Sequence, residues 1–284
     1  MIGKITCKST VPPRNPRLII DANNLAFRAF ATTGGLSHAD VPTGTTFGFL
    51  KQIKSLRDSF LTDQLAFCFD CPPSKRQEIS PAYKGNRKKL DDEAAVKYLE
   101  YRNELVRLCE TVLPDMGFRN VFWQTGYEAD DVIASVVQNS LGDGEAVIVS
   151  SDHDLYQLLG FRVSMWLPHK KELYREADLL RDHGVLPSNW PDVLALAGCP
   201  GDGVVGMRGV GIKTAAKFMQ GKLPAKATDR IGPGVAAFLL SNLPLVRLPF
   251  PGTKAFRLRE DECTPAKARA VFKRLGFRSL METW

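Results

Sequence analysis

The sequence predicts an α/β protein built on a parallel-dominated central sheet, and three observations carry that expectation. Arg17-Leu-Ile-Ile-Asp21, Leu65-Ala-Phe-Cys-Phe-Asp70 and Ala146-Val-Ile-Val-Ser150 are short, continuously apolar runs, the pattern of strands buried on both faces. Helix-periodic stretches separate them in the βαβ order of a parallel sheet. Each run also delivers acid at its carboxyl end: Asp21, Asp70, and Asp152 with Asp154 just past the third. In open α/β sheets the ligand crevice lies beyond those ends.

The densest stretch runs from Gly126 to Asp154. Val132, Ile133, Val136 and Val137 recur at helical spacing behind an acidic first turn of Glu128, Asp130 and Asp131, and Gly142-Asp-Gly144 is the stop signal. Acids in a first turn suit the helix dipole, and Asp after a strand is an ordinary turn device. Together, five carboxylates on one edge repel, and such a site persists by protonation or by binding cations. A metal site is therefore the expectation. Glu128 and Asp131 share a helix face, and Asp130 joins them only if the helix begins after Glu128, which is the start expected here.

The 284 residues suffice for one large domain, or a large and a small one. Net charge is +7 and the pI about 9.1, although many acids concentrate in the cluster. The remaining surface is thus more basic than the total implies, which suits a polyanionic partner. No apolar amino-terminal region or membrane-length apolar run occurs, so a cytoplasmic protein is expected. Six cysteines without a signal segment do not read as a disulfide framework. Cys68-x-x-Cys71 offers redox chemistry or half a zinc site, but no second pair or histidine cluster completes it and Pro72-Pro73 follows.

In chain order, Pro12, Pro13 and Pro16 make residues 1–16 an extended lead-in. A helical segment from about Thr43 to Phe60 leads to the second strand. From 75 to 89, Lys75, Arg76, Lys84, Arg87, Lys88 and Lys89 stand against Glu78 alone. Charge runs are usually solvated loops; leaving a candidate metal ligand, this one is read as gripping phosphate. A helix follows over about 91–112, then a strand at 117–123. Beyond Asp154 come a helix at 155–159, a strand at 162–167 and a short helix at 178–183. Residues 191–221 read helix, glycine-rich loop, helix. Gly206, Gly209 and Gly211 would let backbone N–H groups approach a phosphate, with Arg208, Lys213 and Lys217 adding charge. The loop is not a P-loop, because Ile212 intervenes before Lys213-Thr214. From about 222 the chain alternates Pro/Gly-rich and apolar pieces before a basic helix at about 265–275.

Leu-Ile-Ile-Asp21-Ala-Asn-Asn-Leu, Phe69-Asp70, Tyr83-Lys-Gly-Asn-Arg87, Tyr127-Glu-Ala-Asp-Asp131, Ser151-Asp-His-Asp154 and Gly206-Met-Arg-Gly-Val-Gly-Ile-Lys-Thr-Ala215 together resemble the 5′ nuclease or flap endonuclease family. The resemblance runs from about Leu18 to Leu248. It implies a PIN-like nuclease core at 17–183 with a helical arch at 71–107, a helix-three-turn-helix subdomain at 184–241, and a segment 242–284 packing back on the core. It also implies that Asp21, Asp70, Glu128, Asp130, Asp131, Asp152, Asp154 and Asp202 hold or orient two divalent metals, Mg²⁺ or Mn²⁺. Lys84 and Arg76 would face the scissile phosphate. Lys75, Tyr83, Arg87, Lys88, Gly206, Arg208, Gly209, Gly211, Lys213, Thr214 and Lys217 would hold DNA, and the resemblance also implies a K⁺ site in the helix-three-turn-helix.

One position departs from the family, whose loop reads Gly-Asp-x-x-Asp where this chain has Gly198-Cys199-Pro-Gly-Asp202. A thiolate is a poor ligand for Mg²⁺, so a weaker second metal is expected. His153 is left without a role, because extended Asp-His-Asp turns it away from its neighbours. The expected activity is two-metal phosphodiester hydrolysis, 5′-3′ exonuclease and flap endonuclease, on DNA with a single-stranded 5′ end beside duplex. With no polymerase region in the sequence, a free-standing monomer in replication or repair is expected. A PIN-type ribonuclease and a non-catalytic DNA-binding module of the same fold remain the alternatives.

Overall fold

The three apolar runs lie side by side. β1 (Arg17–Asp21) sits between strands formed by Leu65–Cys68 and Ala146–Val149, parallel to both. Ile19 is paired in register with Ala66 and Ile148, and Ile20 with Phe67 and Val149. Because side chains alternate along a strand, Ile19, Ala66 and Ile148 face one layer, and Leu18, Ile20, Phe67, Val147 and Val149 the other. Both layers are covered, so every position of the three strands except the half-buried Arg17 is buried, and burying a large apolar side chain contributes about 1.5–3 kcal/mol.

The computed structural model describes residues 15–85, 91–142 and 144–284. After β1 come α1 (Ala22–Thr33), the small hairpin β2 (Ser37–His38) and β3 (Val41–Pro42), α2 (Gly44–Phe60), β4 (Leu65–Cys68), α3 (Arg76–Ile79) and α4 (Asp92–Arg107). A π-turn over Leu108–Val112 continues into α5 (Leu113–Met116), followed by β5 (Val121–Phe122), α6 (Ala129–Ser140) and β6 (Ala146–Val149). A 3₁₀ turn at His153–Leu158 leads to β7 (Val163–Leu167), β8 (Glu172–Tyr174), α7 (Glu176–His183), α8 (Trp190–Ala197), α9 (Ile212–Met219), α10 (Ala225–Val246), α11 (Pro265–Leu275) and α12 (Arg278–Thr283). The six-stranded sheet runs β5-β4-β1-β6-β7-β8, parallel except for β8. One face packs Val132 and Ile133 of α6 and Leu196 of α8; the other packs Leu25 of α1, Phe49 and Ile53 of α2 and Phe272 of α11. The result is the mixed α/β architecture expected, with a mostly parallel sheet.

Three elements differ from expectation. The strand at 117–123 shrinks to Val121–Phe122, and the helix at 155–159 is a 3₁₀ turn that starts at His153. The largest difference is α10, a 22-residue helix where Pro/Gly punctuation predicts broken pieces. Gly232-Pro233-Gly234 and Pro244 lie inside it. Burial of Ile231, Leu245 and Val246 beside α8, and the Asn242 amide donating to the carbonyls of Ala195 (2.8 Å) and Val205 (2.9 Å), offset the lost helix bonds.

The carboxy-terminal segment returns across the α/β core. Phe256 N–H donates to Ser135 Oγ (3.1 Å) and Leu258 N–H to Ser140 Oγ (3.0 Å), both on α6, before α11 buries Phe272. Residues 1–14 of the expected lead-in, and Arg87 and Lys88 of the expected arch, lie outside the described residues. Among the described residues no helix is long and apolar enough to cross a membrane.

Candidate active site

The carboxyl ends of β1, β4 and β6 and the start of α6 meet at one edge, and the acids gather there. Asp21 ends β1 and caps α1: its Oδ1 accepts Asn24 N–H (3.0 Å), and its Oδ2 accepts the Ser150 hydroxyl (2.7 Å). Asp70 lies two residues past β4; its Oδ1 accepts Ala129 N–H (2.7 Å), and its own N–H donates to Asn23 Oδ1 (3.0 Å). Asp152 accepts Asp154 N–H (2.9 Å), and the same Ser150 hydroxyl receives Asp152 N–H (3.1 Å). Ser150, Asn23 and Asn24 thus orient three acids, a role the sequence reading did not give them. The polar Ala-Asn-Asn after Asp21 was the available signal.

Electrostatics measure how closely the acids stand. Burial, then repulsion from Asp70 and Asp152, pushes the Asp21 carboxyl up to about 7. Burial, then Asp152 and Asp202, does the same to Asp154, also to about 7. Asp130 is driven well above the carboxylate range by burial and by Asp152, Asp21, Asp154 and Glu128. Glu128 goes the other way: burial raises it, but Lys84 and Arg76 outweigh that and hold it below its ordinary value. Among the described residues no three acidic, histidine or cysteine side chains close into a ready-made cage. The acids stand close enough for their charges to raise one another's pKa values. Hard oxygen donors with surplus negative charge fit a hard divalent cation.

The folded-state pKa values of Asp21 and Asp154 are raised, so their stabilising contribution is present at low pH and is lost as pH rises through about 7. A divalent cation competes with those protons. Mg²⁺ is therefore expected to raise the melting temperature clearly at pH 8 and hardly at pH 5. Equal stabilisation at both pH values would count against cation binding by this cluster.

Lys84 reaches the cluster from the turn after α3, with φ of 55°. Its N–H donates to Asp202 O (2.8 Å), and its ammonium stands 2.9 Å from Glu128 and 3.9 Å from Asp202. Burial works against that charge, but Glu128 and Asp202 outweigh it and raise the lysine above its ordinary value. Gly203 follows Asp202 at φ 73°, where a Cβ would stand 2.5 Å from Ala82 O, so only glycine allows the two loops this close. A cleft of about 760 Å³ opens beside Lys84 and Asp70 and is walled by Phe27, Tyr98 and Trp123.

Three expectations are corrected. Asp131 does not face the cluster: it is fully buried, accepts both Arg76 Nη groups (2.7 and 2.8 Å), and also accepts the N–H groups of Phe250 (2.8 Å) and Glu128 (3.2 Å). Those four bonds occupy its oxygens, leaving none for a metal. Arg76 is buried by the same pairing, with its Nε donating to Leu245 O (2.9 Å), so its guanidinium does not face a phosphate. Tyr83 is buried and donates its hydroxyl to Glu128 (3.0 Å) rather than meeting DNA. At Gly206 packing already requires glycine, since a Cβ there would come within 2.1 Å of Ala197 O, and its backbone N–H is left as the expectation had it.

Gly209 and Gly211 are open, with nothing within 4 Å of a built Cβ, and Gly211 caps α9. Arg208, Lys213 and Lys217 are exposed beside them, and none forms an ion pair among the described residues. Thr214 is half-buried in the first turn of α9. Lys75 is also half-buried, its ammonium 5.3 Å from the Tyr127 ring centre. Cys199 stands between Asp154 and Asp202, with its sulfur 4.0 Å from Asp154 Oδ1. Burial, then Asp154, Asp202 and Asp152, pushes its thiol far up, so it stays protonated. Cys68 and Cys71 are free thiols, Cys68 buried within β4, and the exposed His153 ring stacks on Tyr156 at 4.8 Å.

Residues 16–184 match the family described as 5′-3′ exonuclease, N-terminal resolvase-like domain. The chain belongs to that family. Within it, the chain is 33% identical over 205 residues to a 5′-3′ exonuclease of Aquifex aeolicus, covering 71% of this chain and 68% of that one. It is 32% identical over 286 residues to the thermostable DNA polymerase I of Thermus aquaticus, covering 95% of this chain but 33% of the polymerase, so it spans about a third of that relative. Among solved structures, bacteriophage T5 D15 flap endonuclease in a pseudo-enzyme-product complex with DNA and metal ions superposes with a TM-score of 0.68 at 26% identity, covering 83% of this chain and 90% of that one.

Proposed function

We propose that the chain is a metal-dependent, structure-specific 5′ nuclease that hydrolyses DNA phosphodiester bonds as a 5′-3′ exonuclease and flap endonuclease. The crowding of Asp21, Asp130 and Asp154 beside the Lys84 ammonium carries this reading, because such an edge is stable with cations and suits a phosphate. Asp21, Asp70, Glu128, Asp130, Asp152, Asp154 and Asp202 would hold or orient two divalent cations, Mg²⁺ or Mn²⁺. Such a pair supplies water activation and stabilisation of the leaving oxygen. Lys84 neutralises charge on the reacting phosphate. Gly209 and Gly211 N–H groups, with Arg208, Lys213 and Lys217, grip duplex backbone without reading sequence, and K⁺ would support that turn. In domain terms, 17–183 performs the chemistry, 184–241 holds duplex, and 242–284 braces the core. The protein acts as a monomer in the cytoplasm, in replication or repair, on DNA with a single-stranded 5′ end beside duplex.

The deciding experiment incubates the protein with 5′-labelled flap DNA, blunt duplex and RNA in Mg²⁺, in Mn²⁺ and in chelator. Cleavage of flap and duplex DNA near the junction, abolished by chelator, is expected. RNA-only cleavage would make it a ribonuclease, and DNA binding without cleavage a non-catalytic module. Lys84→Ala should cut the single-turnover rate by about 10²-fold with duplex affinity little changed, as for a contact strongest in the transition state. Loss of affinity at an unchanged rate would reduce Lys84 to a phosphate clamp.

Cys199 sets the metal dependence. A soft sulfur leaves the second cation one hard oxygen ligand short, so Cys199→Asp is expected to lower the Mg²⁺ concentration for half-maximal cleavage and to shrink any advantage of Mn²⁺. The new carboxylate would add to the Asp154 and Asp202 repulsion, so the metal-free variant should melt lower. An unchanged Mg²⁺ midpoint in folded protein would rule out a missing-ligand role.

A further inference from the structure

α4 stands largely clear of the rest of the protein. Of its 16 residues only Tyr101, Glu104 and Leu105 are buried, while Val96 and Leu99 point their apolar side chains to solvent. Among the described residues its buried attachment lies in the carboxyl half, and it includes a carboxylate at 1% exposure. Glu104 forms no ion pair among the described residues. Its Oε1 accepts Thr45 N–H (3.1 Å) and its Oε2 accepts Thr46 N–H (2.8 Å). These are first-turn amides of α2, whose N-cap Thr43 makes no side-chain cap bond. The two needs answer each other: α2 has orphan donors and the positive end of a dipole, and α4 carries the charge that satisfies both.

The attachment continues along one face. Tyr101 donates its hydroxyl to Asn23 O (3.3 Å), and Arg107 Nη2 donates to Pro42 O (2.9 Å), three residues before and after Glu104. Asn23 is the residue whose Oδ1 receives Asp70 N–H (3.0 Å). Just beyond, the helix relaxes into the π-turn at Leu108–Val112, so Glu104 lies at the last regular turn before the register changes. Tyr98 and Tyr101 on this helix wall the cleft beside Asp70 and Lys84.

We infer that Glu104 is a positioning residue that roots α4 over this cleft, and that it sets the gate through which a single-stranded 5′ end reaches the carboxylates. The substrate half of the inference rests on the 5′ nuclease reading; the rooting does not. Hydrogen exchange therefore tests it without activity. In Glu104→Ala, amides of residues 96–104 should exchange about tenfold faster or more, while β1 and β6 keep their protection. Glu104→Gln, which retains one acceptor, should fall between, and it carries the test if the alanine variant does not fold. In single-turnover cleavage, Glu104→Ala should lose about tenfold on a flap with a long 5′ tail and less than about threefold on a blunt duplex, with duplex affinity unchanged. Unchanged exchange in α4, or equal losses on both substrates, would overturn the inference. If wild-type protein cleaves neither substrate, the nuclease reading fails and the gate fails with it, while the exchange result still decides whether Glu104 roots α4.

Discussion

Asp130→Asn is expected to lose cleavage by more than the roughly 10–100-fold that removal of a supporting metal-site partner costs, with duplex binding nearly unchanged. Asp130 is the acid most enclosed by others, its carboxyl driven up by burial and by Asp152, Asp21, Asp154 and Glu128. A cation gains most where negative charge is most crowded, and asparagine keeps the shape while removing the charge. On the proposed reading, duplex affinity rests on Arg208, Lys213, Lys217 and the open glycines at 209 and 211 rather than on these acids. The same substitution relieves repulsion, so the metal-free variant should melt no lower than wild type while losing most of the Mg²⁺-dependent rise in melting temperature. Asp152→Asn should behave alike. Near-normal cleavage by both variants in Mg²⁺ would sink the assignment of this cluster to cations. Reduced metal-free stability would show that Asp130 serves the fold.

How far the sequence led can be traced residue by residue. The strands at 17–21, 65–68 and 146–149 were legible because burial on both faces leaves a continuous apolar run, and Asp21, Asp70 and Asp152 were legible because they end such runs. The start of α6 at Ala129 decides which acids converge. With Glu128 as N-cap, Asp130 turns to the cluster and Asp131 turns back to accept Glu128 N–H. Spacing alone allows either arrangement, and the expected start after Glu128 is the one found. What the sequence could not separate were cations within one basic run. Lys84 reaches the acids and Arg76 is buried in a pair, yet in one dimension both are positive residues eight apart. The glycines of 206–211 were equally uniform, although Gly206 packs against Ala197 while Gly209 and Gly211 stay open. Tertiary partners distant in sequence, Leu245 and Phe250 for Arg76 and Ala197 for Gly206, make those distinctions.

Arg76→Ala is expected to destabilise the protein by about 3–5 kcal/mol, the cost of leaving a buried partner charge uncompensated. The guanidinium makes a bidentate pair with Asp131 at 2.7 and 2.8 Å, donates to Leu245 O at 2.9 Å, and lies 5.0 Å from the Phe250 ring centre. Asp131 in turn accepts Phe250 N–H, so the pair joins α3, α6 and the segment after α10. Arg76→Lys keeps the charge but cannot reproduce two parallel bonds and a third to a carbonyl, and should fall between. Asp131→Ala should cost about as much as Arg76→Ala, and the double variant less than the sum, because each single change strands the other's charge. Denaturant unfolding of the four variants measures this directly. An additive double variant would mean that the two residues act separately. A cleavage defect in Arg76→Ala at unchanged stability would instead place its guanidinium on the substrate. The geometry predicts the opposite order of effects: stability falls first, and cleavage falls only as the Glu128 position, 3.7 Å from the Arg76 guanidinium, loosens with it.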